Sequence, residues 1–428
     1  MLRRATLLAL VVVLAVPARA QTAVPPGFDA YVADVLDAFD VPGVSVAIVH
    51  DGQTVLARGY GVRDLQTGAP VDERTRFGIA SNSKAFTAAA LGMLVEEGRV
   101  EWDAPVTRYL PGFALSDPYV TAELTVRDLL VHRSGLSLGA GDLLWWPAST
   151  LTRAETVRRL RALPLATSFR SKYAYDNVLY MVAGEVVEAV SGQTWEAFVQ
   201  TRMLDRLGMT DSRASVGAAL AGDNVARTFA PVDGVVVPVV PGDGENANPA
   251  AGIGSTARDM ARWLTVLLDS GRVALDGVPA GRLFSAATTT QLWAPVTPIA
   301  INPFPPETAA LQPQFSAYAL GFGVRDYRGV KVVSHTGGLP GYVSQVTLVP
   351  SLGLGVVVLT NGESGAAFTS ITQRVVDHVM GAPGTDWVAA YQAVTARREA
   401  LAATAVAIGE ASRDRTSGPS LPLAGYAG

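Results

Sequence analysis

"GIASNSKAFTAAALGMLVEEGRV" spans residues 78–100. It sets Ser81 and Lys84 three residues apart at the entrance to an Ala-rich, apolar run that stops at Gly98. On a helix, neighbours at this spacing share a face. A lysine whose only task is solubility sits more naturally on an exposed face further along. A serine hydroxyl is a weak nucleophile until a base takes its proton, and burial turns lysine into such a base by disfavouring the ammonium. Ser81 at a helix start also has an unpaired backbone N–H pointing outward. Alone, the S-x-x-K spacing is also what an N-capping serine followed by a surface lysine produces.

Strands lie on either side of this helix in the chain. Residues 44–49 and 54–60 are β-rich and flank Asp51-Gly52, a hairpin turn signal. An apolar face at Tyr31, Val32, Val35, Leu36 and Phe39 predicts a helix before them. Near the other end, residues 318–326, 330–336, 344–349 and 355–360 read as a strand meander with turns at Arg328-Gly329 and residues 351–353. A helix pattern through Val375, Val376 and Val379 follows. The intervening residues, roughly 102–311, carry short helical patterns between Pro/Gly-rich loops. "LTVRDLLVHRSGL" and "STARDMARWLTVLLDSG" are the clearest helical pieces, and "VDGVVVPVVPGDGENANPAAGIGS" reads as a loop with a short strand pair. The expected fold is α+β: one antiparallel sheet built from strands at both ends, flanked by helices, with a mostly helical lobe from the middle.

Two further patterns bear on Ser81. In "SKYAYDNVLYMVAGEVVEAVSG", Tyr175 and Asn177 lie two apart before a helical run. A tyrosinate there could accept a proton and the amide could hold a substrate carbonyl. A packing aromatic followed by a capping asparagine gives the same pattern. In "VVSHTGGLPGY", His335, Thr336, Gly337 and Gly338 end a predicted strand, where glycines allow a backbone N–H to approach a ligand.

In chain order these are S-x-x-K, Y-x-N and H-T-G. The sequence resembles the penicillin-recognising serine hydrolases, in the branch of class C β-lactamases, D-alanyl-D-alanine carboxypeptidases, D-aminopeptidases and related esterases. "LLVHRSGL", "NPAAGIGSTARDMARW" and "LGVVVLTNG" are similar to family segments as well, so the resemblance runs from about residue 28 to 380. It implies a β-lactamase-like domain over residues 21–385 and roles for named positions. Ser81 would be the acylated nucleophile. Lys84 and Tyr175 would share its proton and pass it to the leaving group. Asn177 would orient Lys84 and the substrate amide. The backbone N–H groups of Ser81 and Gly338 would form the oxyanion hole, with Thr336 and Gly337 beside the substrate. His335 stands where many relatives carry lysine. A neutral histidine would clamp a substrate carboxylate less firmly, which favours peptide or ester cleavage over β-lactam hydrolysis. The alternatives are a β-lactamase and a non-catalytic relative kept for binding or assembly; the latter expects a broken motif, and these motifs are intact.

Other readings are weaker. Residues 135–139, Gly-Leu-Ser-Leu-Gly, match a G-x-S-x-G elbow, but that elbow needs a strand before and a helix after it, so Ser137 is not expected to be a nucleophile. Of the four histidines, His50, His132 and His378 read as structural, and no ligand spacing suggests a metal or cofactor. Trp145-Trp146 reads as packing or as a wall of the cleft. With 49% hydrophobic and 17% charged residues, a net charge of -4 and no basic stripe, the 428-residue chain is globular and not built for nucleic acid. The expected partner is a small-molecule or peptide substrate.

Residues 1–20 read as a secretory signal: Arg3-Arg4, an apolar core over residues 7–16, and Ala18-Arg19-Ala20 at the cleavage positions. The core is shorter than the roughly 18 residues a spanning helix needs. This implies a secreted or periplasmic protein without stable membrane insertion, and the absence of cysteine frees its folding from the redox state of that compartment. Residues 386–428 read as a helical segment and linker ending in "LPLAGYAG", a strand-like stretch that in some relatives opens a small β-barrel. That module is expected to be missing, and the tail after about Gly409 to be poorly packed. N-terminal sequencing of exported protein should begin at Gln21; soluble cytoplasmic protein that keeps Met1 would contradict the leader reading.

Overall fold

A computed structural model describes residues 22–426 apart from Asp243, Asp276, Asp414, Arg415 and Ser417. The expected leader lies outside the described residues. The principal elements are helix α1 (Phe28–Ala38), strands β1 (Gly43–His50) and β2 (Gln53–Gly61), and helices α2 (Ser83–Glu96), α3 (Val178–Ser191) and α4 (Ala257–Leu268). They continue with strands β3 (Thr297–Pro298), β4 (Ser316–Tyr318), β5 (Gly323–Tyr327), β6 (Val330–Leu339), β7 (Tyr342–Val349) and β8 (Leu354–Thr360), then helices α5 (Gly365–Met380) and α6 (Trp387–Ser412).

The strands form one antiparallel sheet in the order β2-β1-β8-β7-β6-β5-β4-β3. Strands from the two chain ends meet where β1 pairs β8, with Val46 opposite Val358 and Ala47 opposite Val357. Alternation then splits the side chains between two cores. Val44, Val46 and Ile48 face α1 and α5, whereas Ala47 and Val49 join the core that contains α2 and α4. The Asp51-Gly52 turn closes the β1–β2 hairpin with φ values of 50 and 75, the left-handed geometry that an Asp-Gly turn supplies. The result is a sheet covered by helices on both faces, as the alternation of strand and helix signals implied.

Helix α2 is the centre of the second core. From Phe77 to Leu94 every residue is buried except Ser81. A helix apolar on all sides belongs inside, and Phe86 stacks on Trp263 of α4 with ring centroids 4.2 Å apart. Gly98 ends the helix in the left-handed conformation, φ 69, as the sequence indicated.

Four expectations need correction. Residues 318–326 are not one strand: β4 and β5 form a hairpin through Gly321, whose φ is 79 and whose Cβ would lie 2.9 Å from the Lys84 carbonyl oxygen. "LTVRDLLVHRSGL" forms only a short turn of 3-10 helix at Arg127–Leu130. There the Asp128 carboxylate accepts from Thr125 and pairs with Arg133 and Arg170, and His132 takes a left-handed φ of 57, so no longer helix propagates. A second hairpin, Arg272–Leu275 with Val278–Arg282, lies in the stretch expected to hold only short helices between Pro/Gly-rich loops. The described part of the "LPLAGYAG" stretch, residues 421–426, forms no strand; Leu423–Tyr426 is an exposed 3-10 turn, and no strand among the described residues lies beside it to supply ladder hydrogen bonds. Helix α6 runs to Ser412 with only Trp387 and Val394 buried.

Strand β6 approaches the Ser81 turn because Gly337 has no side chain. A Cβ there would sit 2.3 Å from the Ile79 carbonyl oxygen and 2.5 Å from Ser344 Oγ. Gly337→Ala should therefore lower stability by about 1–3 kcal/mol, the usual cost of overpacking, and should also displace Gly338. Denaturant unfolding measures the first effect; an unchanged midpoint would show that β6 does not need this contact.

Candidate active site

The turn that carries Ser81 is held from three sides. It is a 3-10 turn, Ala80–Asn82, leading into α2. The Ser344 hydroxyl of β7 donates to the Ile79 carbonyl at 2.8 Å and accepts from Asn82 Nδ2 at 2.8 Å. The Ile253 N–H donates to the Ser83 hydroxyl at 3.0 Å, and Ile79 N–H donates to the Ile253 carbonyl at 2.9 Å. Between these fixings Ala80 has φ 49, a left-handed conformation that costs a non-glycine residue about 1–3 kcal/mol. The surroundings therefore over-determine the turn, and its one partly exposed side chain is Ser81.

Lys84 is fully buried one helical turn on, at 0% exposure. Its Nζ lies 3.1 Å from Ser81 Oγ and donates to Asn177 Oδ1 at 2.8 Å and to the Ala250 carbonyl at 3.0 Å. Burial lowers its pKa from 10.5 to about 7, against a smaller opposing pull from Asp176 and Asp142. The rings of Tyr175 and Tyr180 also face Nζ, with centroids at 4.9 and 5.2 Å.

Tyr175 and Asn177 come from the segment that enters α3. Burial pushes the pKa of the Tyr175 phenol well up, against a smaller opposing pull from the Ser81 side chain, so the ring carries a neutral hydroxyl. The tyrosinate that the sequence allowed is disfavoured, and Lys84 is the better base. Asn177 Nδ2 donates to the Asp142 carboxylate, 3.2 Å from Oδ1 and 3.3 Å from Oδ2.

His335 faces inward from β6, buried. Its Nδ1–H donates to the Thr336 carbonyl at 2.6 Å, and its Nε2 accepts from the Tyr318 hydroxyl at 2.7 Å. Burial, with the nearby Lys84 charge, lowers its pKa to about 3. Both nitrogens are committed and the ring is neutral, so it offers no cation. Thr336 and Gly338 lie on the exposed side of β6. Strand β5 pairs β6 only as far as Ser334, which leaves residues 335–339 without a strand neighbour on that edge. Gly338 and Asn177 line a cavity of about 390 Å³ whose other walls include Asp142, Trp145, Trp146, Leu339 and Glu363. A backbone N–H at the end of a free strand edge, opposite a serine on a tight turn, is the geometry an acyl oxygen needs.

The sequence reading brought Ser81, Lys84, Tyr175, Asn177, His335 and Gly338 to one place. It missed Asp142, Ala250, Ser344 and Tyr318. Ala250 contributes only a carbonyl, which leaves no side-chain trace. Asp142 stands beside the Trp pair in "GDLLWWPAS" and gave no motif. His132 is structural as expected, but it lies beneath the site, 4.2 Å from the Tyr175 ring centroid. Its Nδ1 accepts from the Asp176 N–H at 3.2 Å, and burial holds it neutral. Ser137 is exposed in a loop with no strand before it and no helix after it. Among the described residues no group of side chains could hold a metal ion, and no helix is long and apolar enough to cross a membrane.

A partly exposed serine beside a buried lysine, under a free strand edge and on a sheet of this order, defines a serine hydrolase fold of the penicillin-recognising type. The chain matches the Beta-lactamase family over residues 28–379 and belongs to it. It is 30% identical to the unguisins hydrolase ungD of Aspergillus violaceofuscus, over 94% of this chain and 74% of that protein. It is 28% identical to penicillin-binding protein 4 of Amycolatopsis lactamdurans, over 80% of this chain and 86% of that protein. The octameric penicillin-binding protein homologue from Pyrococcus abyssi superposes with a TM-score of 0.70 at 25% identity, covering 83% of this chain and 77% of that one.

If Lys84 must be neutral to act, activity should rise as pH increases through its pKa. The kcat/KM of ester hydrolysis should show an acid limb near pH 7, because burial brings the Lys84 ammonium to about 7. A rate that stays flat from pH 5 to 9 would remove Lys84 from the role of base.

Proposed function

We propose that this chain is a serine acyl-hydrolase that cleaves amide or ester bonds through an acyl-enzyme on Ser81. The supporting observation is the buried amine of Lys84, held by two carbonyl acceptors with Ser81 Oγ as its third neighbour. Neutral Lys84 takes the Ser81 proton as Oγ attacks the substrate carbonyl. The N–H groups of Ser81 and Gly338 receive the developing oxyanion. The neutral Tyr175 phenol gives its proton to the leaving group and takes one back from the Lys84 ammonium. Water then enters, and the same groups reverse their roles to release the acid. The expected leader places this activity outside the cytoplasm, in the periplasm or the medium.

Charge at the cleft supports a neutral or cationic acyl group over an anionic one. Asp142 and Glu363 line the cavity, and among the described residues no Lys or Arg does. Glu363 is held at the β6–β7 turn, where its Oε1 accepts from the Gly341 N–H at 2.8 Å. His335 is neutral and fully hydrogen-bonded. A β-lactam or a carboxypeptidase substrate brings a carboxylate, and the described residues of this wall supply no fixed positive charge to receive it. The reading is therefore a peptidase or esterase rather than a β-lactamase. Relatives named as a hydrolase and as a penicillin-binding protein are compatible with this division.

A fluorophosphonate probe should label the peptide that contains Ser81, as read by mass spectrometry. Ser81→Ala should abolish labelling and lower hydrolysis by about 10⁴-fold or more, as loss of a nucleophile does elsewhere. Among p-nitrophenyl esters, the butyrate should be cleaved at least about tenfold faster than the succinate monoester, the scale of one like-charge contact. An active Ser81→Ala enzyme would reject the mechanism; a preferred succinate ester would reject the charge argument.

A further inference from the structure

We propose that Asp142 is a positioning residue that sets the direction of proton transfer from Ser81 to Lys84 by holding the Asn177 amide in one orientation. This inference rests on the reading of Ser81 as the acylated nucleophile. A neutral lysine amine has two N–H bonds and one lone pair. Three groups lie within hydrogen-bonding distance of Lys84 Nζ: the Ala250 carbonyl, Asn177 Oδ1 and Ser81 Oγ. A backbone carbonyl can only accept. If Asn177 also presents its oxygen, the two N–H bonds are both used and the lone pair is left for the Ser81 hydroxyl proton. If the Asn177 amide is flipped, its NH₂ group competes for that lone pair and Ser81 loses its base.

An isolated amide has no reason to prefer one orientation, because its two ends are nearly the same shape. Asp142 supplies the reason. A carboxylate can only accept, and both Asp142 oxygens face Asn177 Nδ2, at 3.2 and 3.3 Å. A flip would set amide oxygen against carboxylate oxygen. Asp142 is itself well placed. It begins a short turn, Asp142–Leu144, after Gly141, whose φ is 80. A Cβ on Gly141 would lie 2.9 Å from both Leu163 and Val178, so the turn presses directly on the start of α3. The turn is tied back to the catalytic segment through the Gly139 N–H, which donates to the Tyr175 carbonyl at 3.1 Å. The Trp145 indole N–H donates to Asp142 Oδ1 at 3.0 Å, which fixes the carboxylate from the cleft side.

The same carboxylate acts on Lys84 through its charge. The groups that face Lys84 are Ser81 on the turn before its own helix, Asn177, Tyr175 and Asp176 before α3, Tyr180 on α3, the Ala250 carbonyl, and the neutral rings of His132 and His335. Only Asp176 and Asp142 favour the ammonium through their charge. Removing the Asp142 charge makes the ammonium less stable and moves the Lys84 titration to lower pH. A residue that merely packed the loop would not move it.

The test measures p-nitrophenyl butyrate hydrolysis from pH 5 to 9 for the parent, Asp142→Asn, Asp142→Ala and Asp142→Glu. Thermal melting and the fluorophosphonate-labelled fraction report on folding. Asn and Ala should each lower kcat by about 10–100-fold, the size typical of outer-shell partners, and should shift the acid limb to lower pH. Glu should recover part of the rate, because it keeps an acceptor-only partner. Parent-like kcat and an unmoved limb in Asp142→Asn would overturn the proposal. So would a loss of rate matched by a loss of labelled protein with the limb in place, since that is a folding defect. Failure of the underlying reading looks different: the parent would not hydrolyse the ester, or Ser81→Ala would remain active.

Discussion

The site turns on an amine taken entirely out of water. Burial of the Lys84 side chain disfavours its ammonium, and the fold accepts this cost to hold a neutral base against Ser81 near pH 7. Much of the surrounding architecture follows from that requirement. Helix α2 is apolar on every side because its first turn lies where the sheet and the helical lobe meet. The Ala250 carbonyl and the Asn177 amide satisfy the amine without a full counter-charge in contact with it. A carboxylate directly on Nζ would restore the ammonium and with it an inert serine. Instead, the nearest carboxylates act at one remove, Asp142 through Asn177 and Asp176 through the helix start it caps, where Asp176 Oδ1 accepts from the Leu179 N–H at 3.2 Å.

The Ser81 turn shows how the sheet serves the same end. Ala80 keeps a left-handed backbone because Ser344, Ile253 and Asn82 fix the atoms on either side of it. The strain raises Ser81 out of an otherwise buried run and toward the edge of β6. Gly337 then lets that edge close in until a Cβ would have no room. Ser81, the proposed nucleophile, and the amide of Gly338 are thus set by backbone packing between α2 and β6. Of the side chains around them, Lys84 comes from α2 itself, and Tyr175 and Asn177 come from the segment that enters α3.

This division explains what the sequence made legible. The single antiparallel sheet from both chain ends and the buried α2 were visible because strand alternation and the apolar length of α2 are local signals; the sheet order and the split into two cores were not. The Ser81–Lys84 and Tyr175–Asn177 pairs were visible because each lies within a few residues of chain. What was hidden acts across chain distance or through the backbone. Gly321 looked like part of a strand, yet it turns one into a hairpin because α2 leaves it no space for a side chain. Ala250 binds with a carbonyl that any residue possesses. Asp142 is 35 residues from the amide it holds, with no pattern linking the two. Tyr175 was read as a proton acceptor by its residue type alone, and only its burial shows that the phenol stays protonated.

His335 shows where catalysis and selection part company. Lysine at this position would bring a second ammonium close to Lys84, and each would press the other toward neutrality. Histidine avoids that conflict. It is held neutral by burial, while its Nε2 accepts from the Tyr318 hydroxyl and its Nδ1–H donates to the Thr336 carbonyl, so it contributes shape and hydrogen bonding but no field. Lys84 can then be tuned by burial and two distant carboxylates alone. On the proposed function, substrate charge is then judged elsewhere, at the acidic wall formed by Asp142 and Glu363. Asp142 belongs to both functions, since the carboxylate that orients Asn177 also faces the cleft. An anionic acyl group bound there would be repelled by Asp142 and would, like it, favour the Lys84 ammonium, so selectivity and base strength are coupled through one side chain.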